Sequence, residues 1–271
     1  MTPHWRTLTI VLVSIFCASF CRQESMYAQS TYKEIALTNG GTIRGTVRLK
    51  GDVSEVERME ISKDIKSCGK AKRSPRLIVG KNFGIGDAIV YLAGVKEGKT
   101  FDRKGSYLIN QQHCEYVPHT LIVPVGAQLE IVNKDPILHN VHTYFDGKPP
   151  KTLFNIAQPI KGLCMKSKPL QKTGLILATC DAGHPWMSAH IMVTDHPYYA
   201  VTDKNGGFIL EAVPPGSYEL KLWHEGVAIV NRVLDQGKTS KYEFEPAYED
   251  GRQVVVAENA ETIADFELVL R

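Results

Sequence analysis

Hydrophobic and polar residues alternate in short runs along most of this chain, and Gly, Pro, Asn and Asp separate the runs. A period of two places apolar side chains on one face of a β-strand. The clearest candidate strands are residues 42–49, 88–92, 120–123, 128–133, 174–180, 190–194, 208–211, 218–223, 253–257 and 265–270. Helical periodicity is almost absent, and only residues 55–67 predict a short helix or an irregular loop. The pattern predicts an all-β protein built from β-sandwiches.

The sequence pattern changes after Asp195, where a second series of predicted turns and alternating strands begins. We therefore predict a larger β-domain over residues 38–195 and a small β-domain over 196–271. The dipeptide His196-Pro197 leaves almost no linker, so the two domains are expected to be rigidly joined.

The N-terminus has the order of a secretory signal. Arg6 precedes an apolar run over residues 8–20, and a polar stretch follows it and ends at Ala28. Cleavage after Ala28 would remove residues 1–28 and leave an exported protein, periplasmic or secreted, without a stable membrane span. The run is short for a transmembrane helix, although an uncleaved anchor stays open. A lipoprotein signal through Cys21 is less favoured because the bulky Phe20 precedes it.

The composition and the absence of certain motifs argue against some classes of function. The chain is 43% hydrophobic and 23% charged with a formal charge of +3, and it contains no block of Lys or Arg. A nearly neutral surface gives no electrostatic reason to expect a nucleic-acid partner. The sequence also lacks HExxH, Gly-x-Ser-x-Gly and phosphate-loop motifs, so no hydrolytic chemistry is indicated.

One short segment carries an unusual set of metal ligands. Cys180, His184 and Met187 lie within eight residues after a predicted strand, and His139 lies about forty residues upstream. A thiolate, two imidazoles and a thioether suit copper in both of its common oxidation states. Zinc also accepts Cys and His, but methionine is not a ligand that zinc prefers. The sequence therefore predicts one copper ion.

These motifs resemble those of the cupredoxins, most closely the amicyanin and plastocyanin-like group. The string HNVH at residues 139–142 is similar to the segment that carries the first ligand in that family, and HPWM at 184–187 is similar to the end of its ligand loop. The resemblance is strongest over 120–195 and loose over 38–119. It implies a cupredoxin-like Greek-key β-sandwich that transfers single electrons.

The resemblance also implies a role for each residue. His139 would be the buried imidazole, Cys180 the thiolate, His184 the imidazole at the solvent edge and Met187 the axial ligand of a mononuclear type 1 copper site. Asn140 would pin the ligand loop through hydrogen bonds.

The ligand loop departs from the family pattern by one residue. Three residues, Asp181, Ala182 and Gly183, stand between Cys180 and the histidine, where amicyanin-like loops have two. Gly183 can absorb the extra residue in a left-handed conformation. Pro185, next to the histidine, is expected to support the loop together with Asn140.

The tail resembles the carboxypeptidase-regulatory or transthyretin-like module. The strings AVTDKNGGF and VPPGSYEL carry that similarity. It implies a small transthyretin-like β-sandwich and says little about function. The string QQHCEYVPH resembles an element of exported plastocyanin-like proteins with such a tail.

Four cysteines remain after residue 28, and two pairings are open. If Cys180 binds copper, Cys68 and Cys114 would form one disulfide and Cys164 would be a free thiol. A Cys164–Cys180 disulfide would instead destroy the copper site. The first arrangement also explains the nearby histidine and methionine.

The remaining histidines give weaker signals. A second metal site from His113, Cys114, His119 and His142 is conceivable, but a structural cysteine with solvent-facing histidines is favoured. His142 lies three residues after His139, so strand alternation turns it to the opposite side. Three further histidines are expected at the surface or in turns: His190, His196 and His224.

The sequence thus predicts an exported electron carrier, not an enzyme, with a redox partner such as a c-type cytochrome or a dehydrogenase. The alternative is a copper-binding, storage or structural interaction module without electron transfer. An oxidase or reductase domain that lacks its partner site is less favoured because no second copper motif is present.

Overall fold

A computed structural model of the chain describes residues 32–51, 58–145 and 149–269. The predicted signal at 1–28 and residue 270 of the last predicted strand lie outside the described residues. The described parts are almost entirely β-strand and turn, which confirms the all-β prediction. The helical elements within them are α1 (Ile65–Cys68) and a 3-10 turn (Lys81–Phe83).

The strands are numbered in chain order. Those before residue 100 are β1 (Lys33–Glu34), β2 (Gly41–Lys50), β3 (Arg58–Glu60), β4 (Ala71–Arg73), β5 (Ile78–Val79), β6 (Ile85–Gly86), β7 (Ile89–Leu92) and β8 (Glu97–Gly98). Those between 100 and 195 are β9 (Tyr107–Gln112), β10 (Glu115–Val117), β11 (Thr120–Pro124), β12 (Leu129–Asn133), β13 (His139–Phe145), β14 (Lys151–Gln158), β15 (Cys164–Lys166), β16 (Gly174–Thr179) and β17 (Ser188–Thr194). Those after 195 are β18 (Tyr199–Val201), β19 (Gly207–Val213), β20 (Gly216–His224), β21 (Ile229–Asp235), β22 (Lys238–Phe244), β23 (Tyr248–Val256), β24 (Glu261–Ile263) and β25 (Phe266–Val269).

Two sheets between residues 107 and 194 form the first β-unit. One sheet has the order β11-β17-β16-β13-β14, and the other has the order β10-β9-β12-β15. Ile131 and Ile109 from the second sheet are buried in the same core as Val141 and Ile191 from the first. The alternation that predicted these strands therefore reflects one buried face on each sheet.

Two further sheets form the second β-unit. Their orders are β18-β7-β20-β23 and β19-β2-β24, and β25 also pairs with β2. Its core includes Ile43, Val90, Leu220 and Phe266. The N-terminal strands β2 and β7 are thus internal to sheets whose other strands follow residue 198.

The pairing of β2 and β7 corrects the predicted division of the chain at residue 196. These strands were expected in the 38–195 domain, yet β2 pairs with β19 and β7 pairs with β18 and β20. Conversely, a segment after residue 196 contributes to the first unit, because Tyr242 of the β21–β22 hairpin packs into its core. The two units are interleaved along the chain because strand partners are chosen by packing, which a local pattern does not encode.

No helix among the described residues is long and apolar enough to cross a membrane.

Candidate metal centre

Strand pairing brings the predicted ligands to one end of the first unit. β16 ends at Thr179 and β17 begins at Ser188, so Cys180 and His184 lie in the loop between them. β13 runs antiparallel to β16 with His142 opposite Thr179. The beginning of β13, where His139 lies, is therefore next to this loop.

Three donor atoms converge at this position. Cys180 Sγ lies 3.5 Å from His184 Nδ1 and 4.0 Å from His139 Nδ1, and the two Nδ1 atoms are 3.1 Å apart. Both histidines are fully buried, and Cys180 is only 5% exposed. Ligand atoms 2.0–2.3 Å from one ion are separated from one another by about 3.3–3.8 Å, so these side chains fit a common metal ion.

Met187 follows in the same loop. Its side chain is 1% exposed and lies in the same buried cluster as Cys180. Its backbone N–H donates to the carbonyl oxygen of His184 at 2.9 Å, which closes a turn at the end of the loop. The structure therefore fixes the backbone of Met187 relative to His184.

Gly183 accommodates the extra residue of the loop. Its φ angle is +89°, in the region that glycine enters without a steric penalty. A Cβ atom at this position would lie 2.7 Å from Cδ of Lys63. The loop thus needs glycine for its backbone conformation, and a larger residue would also displace the exposed Lys63 side chain, which donates to Ala182 O.

Each of the two imidazoles forms a hydrogen bond with a carboxylate through its Nε2 atom. Nε2 of His139 lies 2.9 Å from Asp135 Oδ2, and Nε2 of His184 lies 2.8 Å from Asp64 Oδ2. If each Nε2–H donates to its carboxylate, each Nδ1 keeps a lone pair directed at the other donors. Such hydrogen bonds orient a ligand histidine and increase its basicity.

Asp135 is itself held in a nest of backbone N–H groups. Its Oδ1 accepts from His113 N–H at 2.8 Å and its Oδ2 accepts from Cys114 N–H at 2.7 Å. Both residues have positive φ angles, which point successive N–H groups toward one anion. The position of His139 is therefore fixed through Asp135 by a turn outside the ligand loop.

Asp64 reaches His184 from a segment that covers the ligand loop. It stands at the start of α1, where an aspartate usually caps the helix, but its side chain makes no capping bond. The neighbouring Lys63 donates to Ala182 O at 2.6 Å. The predicted position of His184 at the solvent edge is wrong, because Asp64 and Lys63 hold this segment over it.

Of the two residues expected to support the loop, Asn140 lies beside it and Pro185 lies within it. Asn140 Oδ1 accepts from Ala182 N–H at 3.1 Å, while its amide group donates to Asn155 Oδ1 at 2.6 Å. Asn140 thus connects β13 to the ligand loop, as expected. Pro185 is half-buried between His184 and Trp186.

Cys114 joins the covering segment to the ligand loop. It forms a disulfide with Cys68, the predicted pairing, with a Cα–Cα distance of 5.3 Å. Its carbonyl oxygen also accepts from Trp186 Nε1 at 3.1 Å. Cys164 is an exposed free thiol and Cys180 a buried one, so the alternative Cys164–Cys180 bridge is not formed.

Burial makes the donor set neutral in the absence of metal. It raises the pKa of the Cys180 thiol and lowers the pKa of both His139 and His184, although Asp135 and Asp64 partly oppose the shift of the imidazoles. A metal ion binding here would therefore displace a proton from sulfur and find both imidazoles unprotonated.

Several predictions for the other histidines need correction. His142 is partly exposed and bonds to Asp181 and Thr152, on the opposite side from His139 as expected. The conceivable second site around Cys114 is excluded because that sulfur is in the disulfide. Four histidines expected at the surface or in turns are instead buried: His119, His190, His196 and His224.

Sequence reasoning also missed Asp64 and Asp135 as partners of the histidines. Asp135 lies four residues before His139, and this spacing was a usable signal. Asp64 lies 120 residues from His184, and no local pattern connects them.

No protein-family model and no curated protein matches the chain. Among solved structures, it is similar to a purple cupredoxin from Nitrosopumilus maritimus, with 22% identity and a TM-score of 0.29 over 33% of this chain and 100% of that one. It is also similar to auracyanin A, a blue copper protein from Chloroflexus aurantiacus, with 18% identity and a TM-score of 0.27 over 33% of this chain and 98% of that one. A copper-containing nitrite reductase from Thermus scotoductus matches with 20% identity and a TM-score of 0.28 over 36% of this chain, which spans only 24% of the reductase. These partial likenesses do not define a family for the whole chain.

Proposed function

We propose that the protein is an exported, mononuclear copper protein that transfers single electrons. The convergence of Cys180 Sγ with Nδ1 of His139 and of His184 carries this proposal. Met187 would be the axial ligand, since it is buried in the same cluster. This donor set is the one that blue-copper electron-transfer sites use.

The surroundings of the ligands favour electron transfer over storage. A copper ion held here would supply a one-electron couple. Asp135 and Asp64 hold the two imidazoles, and Asn140 holds the loop, so the donor atoms need to move little between oxidation states. The buried positions of His139 and His184 would also slow the release of metal that a delivery protein requires.

The redox partner would be another exported protein, such as a c-type cytochrome or a dehydrogenase. The electron would not leave through a bare imidazole edge of His184, because Asp64 lies over its Nε2. The second β-unit, proposed to be transthyretin-like, would serve recognition or structure.

Copper titration of matched cysteine variants tests the site. The wild-type protein and Cys164→Ser should each show an intense thiolate-to-copper absorption band from one copper ion, because Cys164 is an exposed thiol outside the cluster. Cys180→Ser should lose the band. Equal spectra for the two variants would refute the site.

Voltammetry of the copper-loaded protein tests the function. A reversible one-electron couple with fast self-exchange is expected for an electron carrier. A sluggish or absent couple in a protein that still shows the absorption band would instead support the storage or structural alternative.

A further inference from the structure

A second group of buried ligand side chains lies between the two β-units. His119 precedes β11, His190 lies in β17, and Glu225 follows β20. Their exposed fractions are 8%, 6% and 6%, and one ligand atom from each lies within 4.8 Å of the others. Nε2 of His119 contacts Glu225 Oε1, and Nδ1 of His190 lies 3.5 Å from Glu225 Oε2.

The hydrogen bonds of this group are incomplete. Nδ1 of His190 and Oε2 of Glu225 are buried and form no hydrogen bond within the described structure. An unprotonated imidazole carries one N–H and one lone pair, so the ring of His190 can offer a lone pair to a metal ion. A buried polar atom without a hydrogen bond is costly, and a metal ion between Nδ1 of His190 and Oε2 of Glu225 would give both atoms a partner.

Arg76 is the main competitor for this role. Its Nη1 lies 2.7 Å from Glu225 Oε2, but the same nitrogen donates to Gly226 O at 2.8 Å, and the guanidinium stacks on Phe244. The carboxyl of Asp87 also interacts with His119 and Glu225. Arg76 is thus shared between Glu225 and a backbone carbonyl, and Nδ1 of His190 stays without a hydrogen bond.

A cleft borders the group on one side. A cleft of about 650 Å³ lies between the first unit and the C-terminal hairpin, and Arg76, His190, Trp223 and Glu225 line it. Three protein donors would leave one position of a tetrahedral ion for water or a small ligand.

We propose that His119, His190 and Glu225 bind a divalent transition-metal ion, distinct from the ion proposed at Cys180. Two imidazoles and one carboxylate suit Zn²⁺, and the absence of a sulfur donor separates this site from the copper-type cluster. His190 lies three residues after Met187 along the chain, so the two sites would be held by neighbouring parts of one segment.

Zinc binding by a Cys180→Ser background tests the proposal without the thiolate of the first site, and Glu225→Gln then separates the two sites. The metal-free variant should bind one Zn²⁺ in competition with a chromophoric chelator, and its melting temperature should rise with Zn²⁺ concentration. Adding Glu225→Gln, which nearly preserves shape, should weaken binding at least tenfold and abolish the thermal shift. The matched control is His113→Asn, which removes an exposed imidazole at a positive φ that asparagine tolerates.

A purely structural ion-pair network predicts a different result. In that case Glu225→Gln would lower the melting temperature, but the Cys180→Ser background would show no response to Zn²⁺, and this would overturn the proposal. Equal Zn²⁺ affinity with and without Glu225→Gln would also overturn it. If Glu225→Gln does not fold, His190→Asn replaces it, and near-ultraviolet circular dichroism checks its fold before the titration. If the wild-type protein shows no thiolate-to-copper band, that result counts against the copper site at Cys180 and leaves the second site unaffected.

Discussion

Removing the carboxylate of Asp135 should damage both the stability of the protein and its affinity for metal. Asp135→Ala leaves the N–H of Cys114 and Nε2–H of His139 without an acceptor, and both residues are fully buried. Each unsatisfied buried group costs about 1–3 kcal/mol, so the free energy of unfolding should fall by about 2–6 kcal/mol. Copper affinity should fall by about 10- to 100-fold, as for other partners of ligand histidines.

Asp64→Ala is the matched control, because Asp64 also accepts a hydrogen bond from a ligand histidine but is partly exposed, whereas Asp135 is buried. The side chain of Asp64 is 32% exposed, so water can replace it as the acceptor for His184. Its loss should lower the free energy of unfolding by only about 0.5–1.5 kcal/mol, the net value of an ordinary hydrogen bond. The effect on copper affinity should still be measurable, because His184 loses its orienting partner.

Guanidinium unfolding of the metal-free variants and a chelator competition for copper measure the two effects. Asp135→Asn, which keeps the size of the side chain, should lie between Asp135→Ala and wild type. Equal loss of stability in Asp64→Ala and Asp135→Ala would show that burial of the hydrogen bonds does not set their value. Copper affinity within threefold of wild type in Asp135→Ala would refute the role of Asp135 in positioning His139.

Three further predictions concern the frame around the site. Cys68→Ala/Cys114→Ala opens a disulfide with a sequence separation of 46 and should lower the free energy of unfolding by about 4 kcal/mol, and adding reductant to this variant should have no further effect. Gly183→Ala and Gly162→Ala both force a side chain onto a positive φ, at a cost of about 1–2 kcal/mol, but only Gly183→Ala also meets Lys63. Gly183→Ala should therefore be the more destabilising in urea unfolding, and equal losses would contradict the crowding argument. A fragment of residues 196–271 lacks β2 and β7 and should show no cooperative thermal transition, whereas cooperative unfolding would mean that the second unit does not need them.

The local pattern predicted many strands closely but not their partners. The alternation at 42–49 and 218–223 became β2 and β20 with bounds shifted by one or two residues, because one face of each strand is buried. The same pattern placed β2 in the wrong unit, since the sequence of a strand does not specify which sheet edge it joins.

In the candidate site, too, residues close together in the sequence were predicted and contacts between distant residues were not. Cys180, His184 and Met187 share one loop, so their spacing alone suggested a metal site. The burial of His184 depends on Asp64, which is distant in the chain. The group around Glu225 was missed because its residues come from three separate segments, and each looked like an isolated polar residue.

The interleaved order of the strands also determines when the chain can fold during synthesis. Thr46 in β2 donates its backbone N–H to Asp265, which lies 219 residues later. At about 5–20 residues per second, that partner is made about 10–45 s after Thr46. β19, on the other edge of β2, also comes more than 150 residues later. Through this interval β2 has two unpaired edges and an apolar face, which is a template for pairing with other chains. The order of synthesis therefore exposes β2 to association between nascent copies, even though both of its edges are covered in the folded protein.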